Sequence, residues 1–297
     1  MTLAAALFRW HSVHGRAHLP WRREPTPYRV VVSEFMLQQT QVDRVLPAFK
    51  RFVLRFPDFA ALAASAPREV IAEWRGLGYN SRAVRLRELA RAVCERHGGA
   101  LPDDETALLA LPGIGPYTAR AVLAFAFRRD AIAVDTNVRR IVARTQLGRA
   151  NADGIAVAAL DAVAGALVPR GRGFDFNSAL MDLGATVCSA RSPNCLVCPL
   201  RTLCAAAPLM PEVAWPARTG KRPTQPPFEE TMRFLRGRIV DHLRSLPPHK
   251  SISLLVLYRV LKPVLSAHGL SDVRVATAAL ARDGLLVAER ERVRLPG

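Results

Sequence analysis

The sequence predicts a mainly α-helical fold followed by a small α+β module, and three observations carry that prediction. Apolar residues recur at helical spacing through the first 205 residues, and no convincing β-strand is readable before residue 280. Half of the 297 residues are hydrophobic, which is enough to build one large or two ordinary domains with real cores. Towards the end, three amphipathic segments precede an alternating stretch over 285–295, the pattern of three helices and a hairpin.

The elements follow in order. Residues 3–14 predict a helix that His18-Leu19-Pro20-Trp21-Arg22 breaks. Tyr28–Thr40 is apolar and helical, with Pro27 at its entry. Glu34 interrupts that apolar surface, with Val30 at i−4 and Leu37 at i+3 on the same face. A salt-bridged surface glutamate is the ordinary alternative, but neighbours of this size would desolvate the carboxyl and raise its pKa, suiting a general acid. Helices are expected over 41–56, 57–64, 67–75 and 80–97. Gly76-Leu77-Gly78-Tyr79 is a glycine-bounded turn with an aromatic tip. Arg82, Arg85, Arg87 and Arg91 are expected on a solvated face, and Cys94 in the core.

Pro112-Gly113-Ile114-Gly115 then separates two helical patterns, and Pro116 suits the first position of the second. Gly113 and Gly115 permit close backbone approach, and amides beside a helix N-terminus form an anion nest. A plain turn is the alternative for Gly-x-Gly alone. About twenty residues on, Asp135 is placed to cap a helix over 136–147, which is also its structural explanation. Further helices are expected over 155–167 and 175–188.

The net charge of +17 is carried by arginine, since only Lys50, Lys221, Lys250 and Lys262 are lysines. That balance favours a polyanionic partner over a membrane surface. No apolar run reaches the ~18 residues that span a bilayer, and Met1–Trp10 lacks a basic start or a cleavage site. A cytoplasmic protein without a membrane partner is expected. Four of the five cysteines, Cys188, Cys195, Cys198 and Cys204, fall in a Cys-x6-Cys-x2-Cys-x5-Cys run, which points to metal ligation rather than disulfides. Zinc would accept four sulfurs, but zinc ribbons pair two Cys-x2-Cys knuckles and this run has one; unequal loops better serve a cubane iron–sulfur cluster.

Together, the LPGIG hairpin, the aspartate beyond it and the 6-2-5 cysteine run resemble the endonuclease III superfamily of helix-hairpin-helix DNA glycosylases. Within it, PWRREPTPYRVVVSEFMLQQTQV, GLGYNSR, LPGIGPYTA and ALMDLGATVC are similar to the MutY-type adenine DNA glycosylases. The match covers about residues 20–205. It implies a glycosylase core over 1–210, with a six-helix barrel at about 22–132 and a cluster domain from 1–21 plus 133–210. A linker over 211–227 and a winged-helix-like domain over 228–297 would follow.

The resemblance also implies roles. Glu34 matches the acid that protonates adenine, Asp135 the carboxylate that stabilises the sugar cation, and Tyr117 the hairpin residue that orients the pair. Gln38 and Gln39 match the wedge region, Tyr79 a residue contacting the opposite base, and Gly113 and Gly115 the phosphate-binding hairpin. Trp21 and Arg22 lie where the family builds its adenine pocket, and the four cysteines match the ligands of a [4Fe-4S] cluster. The implied activity is a monofunctional excision of adenine mispaired with 8-oxoguanine or guanine in double-stranded DNA, by a monomer of the bacterial cytoplasm that associates with the nucleoid when on DNA.

Other readings share these motifs. Strand-cleaving relatives use a lysine in the hairpin helix, whereas Tyr117 stands here and no lysine occurs between Lys50 and Lys221. A thymine glycosylase acting on T:G or U:G pairs can share cluster and tyrosine, but QQT and GLGY look like the adenine branch. A catalytically silent iron–sulfur DNA-binding protein is a third reading, opposed by the joint presence of Glu34, Tyr117 and Asp135. Two departures from the family pattern stand out: Thr136 replaces a frequent glycine, and the C-terminal seventy residues do not resemble the usual Nudix-like domain. Arg290, Arg292 and Arg294 alternate along the expected hairpin, where they could face phosphates or merely solvent.

Overall fold

The computed structural model describes residues 1–210 and 226–297, so most of the expected linker lies outside the described residues. It is mainly helical. The helices are α1 (Leu3–His14), α2 (Pro20–Arg23), α3 (Pro27–Leu37), α4 (Val42–Arg55), α5 (Phe59–Ala64), α6 (Pro67–Glu73) and α7 (Ser81–His97). They continue with α8 (Glu105–Leu109), α9 (Pro116–Phe125), α10 (Thr136–Leu147), α11 (Val157–Ala166) and α12 (Gly173–Thr186). The C-terminal module holds α13 (Met232–Ser245), α14 (Leu254–Leu261) and α15 (Leu270–Arg282), with strands β1 (Ile252–Ser253), β2 (Val287–Glu289) and β3 (Arg292–Arg294).

Local chemistry sets many boundaries. The Thr2, Asp58, Asp104 and Thr231 side chains accept N-terminal amides of α1, α5, α8 and α13. Helices α7 and α10 end on Gly98 and Gly148 in the left-handed conformation that L side chains avoid. Helix α3 stops at Leu37, three residues short of expectation, because Gln39 turns left-handed at φ 52°.

Two compact units emerge from the contacts. One gathers Met1–Glu34, Pro102–Ala110 and the described part of 114–220. Its core joins Leu7 of α1, Ile141 and Val142 of α10, Leu160 of α11, and Phe176, Leu180 and Leu183 of α12. The other gathers Phe35–Leu101, Leu111–Gly113 and the C-terminal module. In it Phe52 stands edge-on to both Phe56 and Trp74. The module has its own core of Leu235, Ile239, Leu257, Val273, Leu280 and Val293, into which Ile71 of α6 also packs.

Four local expectations are corrected. A single helical turn, α2, forms where a break was expected, with Pro20 at its first position, where no intrahelical amide partner is missed. Strand β1 lies before residue 280 and pairs antiparallel with β3, placing Ile252 opposite Val293, in a sheet ordered β1-β3-β2. Two residues carry too little alternation to be read from sequence. Cys94 is half-buried rather than in the core. Arg82, expected on a solvated face, is buried.

Candidate active site

Three side chains that the sequence separates by a hundred residues share one site. Glu34 sits near the end of α3, following the wholly buried Val31, Val32 and Ser33, and is itself only 8% exposed. Its carboxyl is raised from 4.5 to about 7, by burial first and with help from the nearby charge of Asp135, against a Tyr117 hydrogen bond and the Arg22 charge. Tyr117, the second residue of α9, donates its phenol to that carboxyl. Its own pKa lies well above the usual phenol value, through burial first and then the Glu34 charge. Asp135 caps α10: Oδ1 accepts the Val138 amide at 2.7 Å and Oδ2 accepts Asn137 Nδ2 at 2.9 Å. An anion is favoured there by the helix N-terminus. Asn137 in turn accepts from Arg140 at 2.8 Å, and Arg140 Nε donates to the Cys188 carbonyl at 2.8 Å.

Asp182 was not singled out by sequence reasoning. It lies on α12 with its side chain fully enclosed, and it gathers three residues from the N-terminal segment. Arg22 grips it with two bonds, Nη1 to Oδ2 at 2.7 Å and Nη2 to Oδ1 at 3.0 Å. Arg16 adds its backbone amide at 2.8 Å and Nε at 2.6 Å, and the His11 ring lies 3.1 Å away. Burial alone would raise this carboxyl, but the His11 and Arg22 hydrogen bonds and the Arg22 charge hold it well below the usual range. The Arg22 guanidinium is therefore occupied by Asp182 while its charge also reaches Glu34. Neighbouring Trp21 is buried. The signal for Asp182 was present: an acid inside the apolar run Ala179-Leu180-Met181-Asp182-Leu183, the same pattern that marked Glu34.

The two hairpin glycines differ. Gly113 has φ 80°, and a Cβ there would stand 3.0 Å from the Phe35 ring, so both conformation and space require glycine. Gly115 caps α9 in extended geometry with open space around it.

Gln38 and Gln39 are exposed after α3, and Tyr79, 39% exposed, tips the GLGY turn. Gln39 and Tyr79 both adopt left-handed backbone, at φ 52° and 44°, a conformation that costs of order 1–3 kcal/mol in a residue with a side chain. Buried Arg82 holds both turns. Its Nη1 donates to the carbonyls of Phe35 (2.7 Å), Met36 (3.0 Å) and Gln38 (2.7 Å). Its Nη2 reaches Thr40 Oγ1 (3.1 Å) and the carbonyls of Leu77 (3.2 Å) and Gly78 (3.1 Å). Burial lowers its pKa to about 10.

Cys188, Cys195, Cys198 and Cys204 line one cavity. Cys195 opens one short 3-10 turn, and Cys198 and Cys204 each close one. Among the described residues, no three His, Cys, Asp or Glu side chains converge as tightly as one ion requires. Buried Arg144 donates to Cys188 Sγ at 3.2 Å and to the Ser189 and Ala190 carbonyls.

Residues 32–161 match the family model of the HhH-GPD superfamily base excision DNA repair proteins. The chain is 44% identical to the adenine DNA glycosylase of Mycolicibacterium smegmatis over 80% of its own length and 79% of that protein. It is equally similar, at 44%, to that of Mycobacterium tuberculosis over 80% of this chain and 77% of the other. Among solved structures, a thermostable thymine-DNA glycosylase superposes with a TM-score of 0.65 at 32% identity, over 69% of this chain and 95% of that one. With relatives so similar over most of both chains, the protein belongs to the adenine DNA glycosylase family of the HhH-GPD base excision repair superfamily.

Proposed function

We propose that the chain hydrolyses the N-glycosidic bond of adenine mispaired with 8-oxoguanine or guanine in duplex DNA, leaving an abasic site without cutting the strand. The observation that carries this reading is the buried Glu34 carboxyl, raised to about 7, hydrogen-bonded by Tyr117 and electrostatically coupled to Asp135. Adenine leaves poorly until its ring is protonated, and its departure leaves an oxocarbenium-like sugar. One carboxyl must therefore carry a proton near neutral pH while a second stays anionic. Glu34 is the proton donor, and Asp135 at its helix N-terminus is the anion facing the sugar cation. Tyr117 holds the Glu34 carboxyl in orientation. With no lysine anywhere from 51 to 220, the hairpin helix and the helices that follow it offer no lysine amine for a Schiff base.

The target base must leave the stack to reach such a buried acid. Gln38, Gln39 and Tyr79 are the residues that replace it or brace its partner, Gly113 and Gly115 bring backbone amides to phosphate, and Trp21 and Arg22 wall the base pocket. The four cysteines hold a [4Fe-4S] cluster, which would cross-link the loops of 188–204. Among the described residues no helix is long and apolar enough to cross a membrane; a monomer working on DNA in the cytoplasm or nucleoid fits the +17 charge.

Base release from duplexes carrying A:8-oxoguanine, A:G, A:C and T:G pairs tests the reaction. Adenine should be released, fastest opposite 8-oxoguanine or guanine, and the product should be cut only after alkali. Release of thymine but not adenine would establish instead the activity named for the thymine-DNA glycosylase neighbour. For the cluster, the native protein should be coloured and carry about four irons per chain; a colourless, zinc-loaded protein rejects it.

A further inference from the structure

Helix α13 of the C-terminal module runs beside the Tyr79 turn, and the Arg233 guanidinium lies 4.3 Å from the Tyr79 ring centroid. The arrangement is anchored. Arg244 of the same helix donates to the Ile71 carbonyl and to Asn80 Oδ1, each at 2.9 Å, and Arg68 donates to the Leu246 carbonyl. Turn and helix line an open groove. Arg236, Arg238 and Arg244 line it, each with a carboxylate partner: Arg236 pairs with Asp283, while Arg238 and Arg244 share Asp241, which leaves one positive charge over. Arg44 and Arg233, both exposed, have no carboxylate partner among the described residues. Beside them Phe228 stands 55% exposed, edge-on to Phe234.

Two uncompensated guanidiniums flanked by two exposed rings, Tyr79 and Phe228, match the chemistry of a nucleic-acid strand whose bases have lost their neighbours. Guanidiniums meet phosphates, and aromatic faces accept bases without regard to sequence. The small sheet is a weaker candidate. Arg292 donates to Ser251 Oγ and its carbonyl at 2.9 and 2.8 Å, and Arg294 pairs with Glu289.

We infer that α13 and the Tyr79 turn form one binding surface for a distorted DNA strand, with Arg233 and Arg44 on phosphates and Phe228 beside Tyr79 against bases. The inference rests on the proposed action on duplex DNA. It makes the C-terminal module part of the DNA grip through its first helix rather than through its hairpin.

The test is equilibrium binding of the full chain to a mismatched duplex across a salt series, with base release by the parent read separately. Arg233→Ala should weaken binding about tenfold and lower the salt slope by about one. Phe228→Ala should weaken binding several-fold and leave the slope intact. Arg233→Lys should restore the slope. Arg274→Ala removes a charge from the same module outside the groove, where it pairs with Glu291, and should bind within about twofold of the parent. Parental affinity in both Arg233→Ala and Phe228→Ala overturns the inference, as does an equal loss in Arg274→Ala. If the parent binds but releases no base, the proposed reaction fails while this surface stands; if it releases adenine and the variants bind normally, only the surface fails.

Discussion

Glu34→Gln is expected to cut the base-release rate by about 10²–10⁴-fold, the usual contribution of a positioned general acid, and to stabilise the fold at alkaline pH. The two effects have one cause. In the unfolded chain this carboxyl titrates at 4.5, and in the fold at about 7. Below 4.5 it is protonated in both states, and no penalty exists. As pH rises through 7, folding must either bury the charge or retain the proton, so stability is lost across that window. A shift of about 2.5 units corresponds to roughly 3 kcal/mol at alkaline pH. Glutamine has no such window. Urea midpoints of the two proteins should therefore converge near about pH 4 and separate by about pH 8, with the variant the more stable. Equal separation at both pH values would show that burial does not shift this carboxyl. The base-release rate of the parent should fall as pH rises past about 7, and the variant's residual rate should lack that limb.

Asp182→Asn is expected to destabilise the protein by about 3–5 kcal/mol, the range for breaking a buried ion pair by removing one partner. The carboxylate is fully enclosed, and Arg22 is nearly so, so water cannot replace the missing charge. Arg16 is more exposed and loses less. A second readout separates this from a generic loss of stability. Arg22 already lowers the Glu34 pKa by its charge; released from Asp182, it should act on Glu34 more strongly. The alkaline limb of base release should then move to lower pH. A cost under about 1 kcal/mol, with the limb unmoved, would mean that the cluster neither holds the N-terminal segment nor tunes the acid.

Much of this site was legible because its signals are local. An acid among large apolar neighbours at i−4 and i+3 marked Glu34, and an aspartate before a helical pattern marked Asp135 as a cap. The hairpin helix began at Pro116 as expected. What sequence reading missed depends on distant partners. An acid in an apolar run marks Asp182 as a buried carboxylate, but its partners come from residues at least 160 positions away, a separation across which helical periodicity carries no information. Arg82 shares its helix with four other arginines at unremarkable spacing. Only the carbonyls offered by two separate turns distinguish it. Strand β1 exists because β3 returns beside it, not because Ile252-Ser253 is intrinsically extended.

The way Arg82 is held bears on the proposed role of the two turns as probes of DNA. Its charge faces carbonyls inside the protein rather than carboxylates on the surface. Counterions that weaken surface attraction to phosphate do not reach it. Raising the salt should lift the protein from DNA and leave both turns formed. A probe that keeps its shape between encounters need not lose ordering entropy at each one. Scanning can therefore be fast and loosely held, with commitment deferred until a base yields.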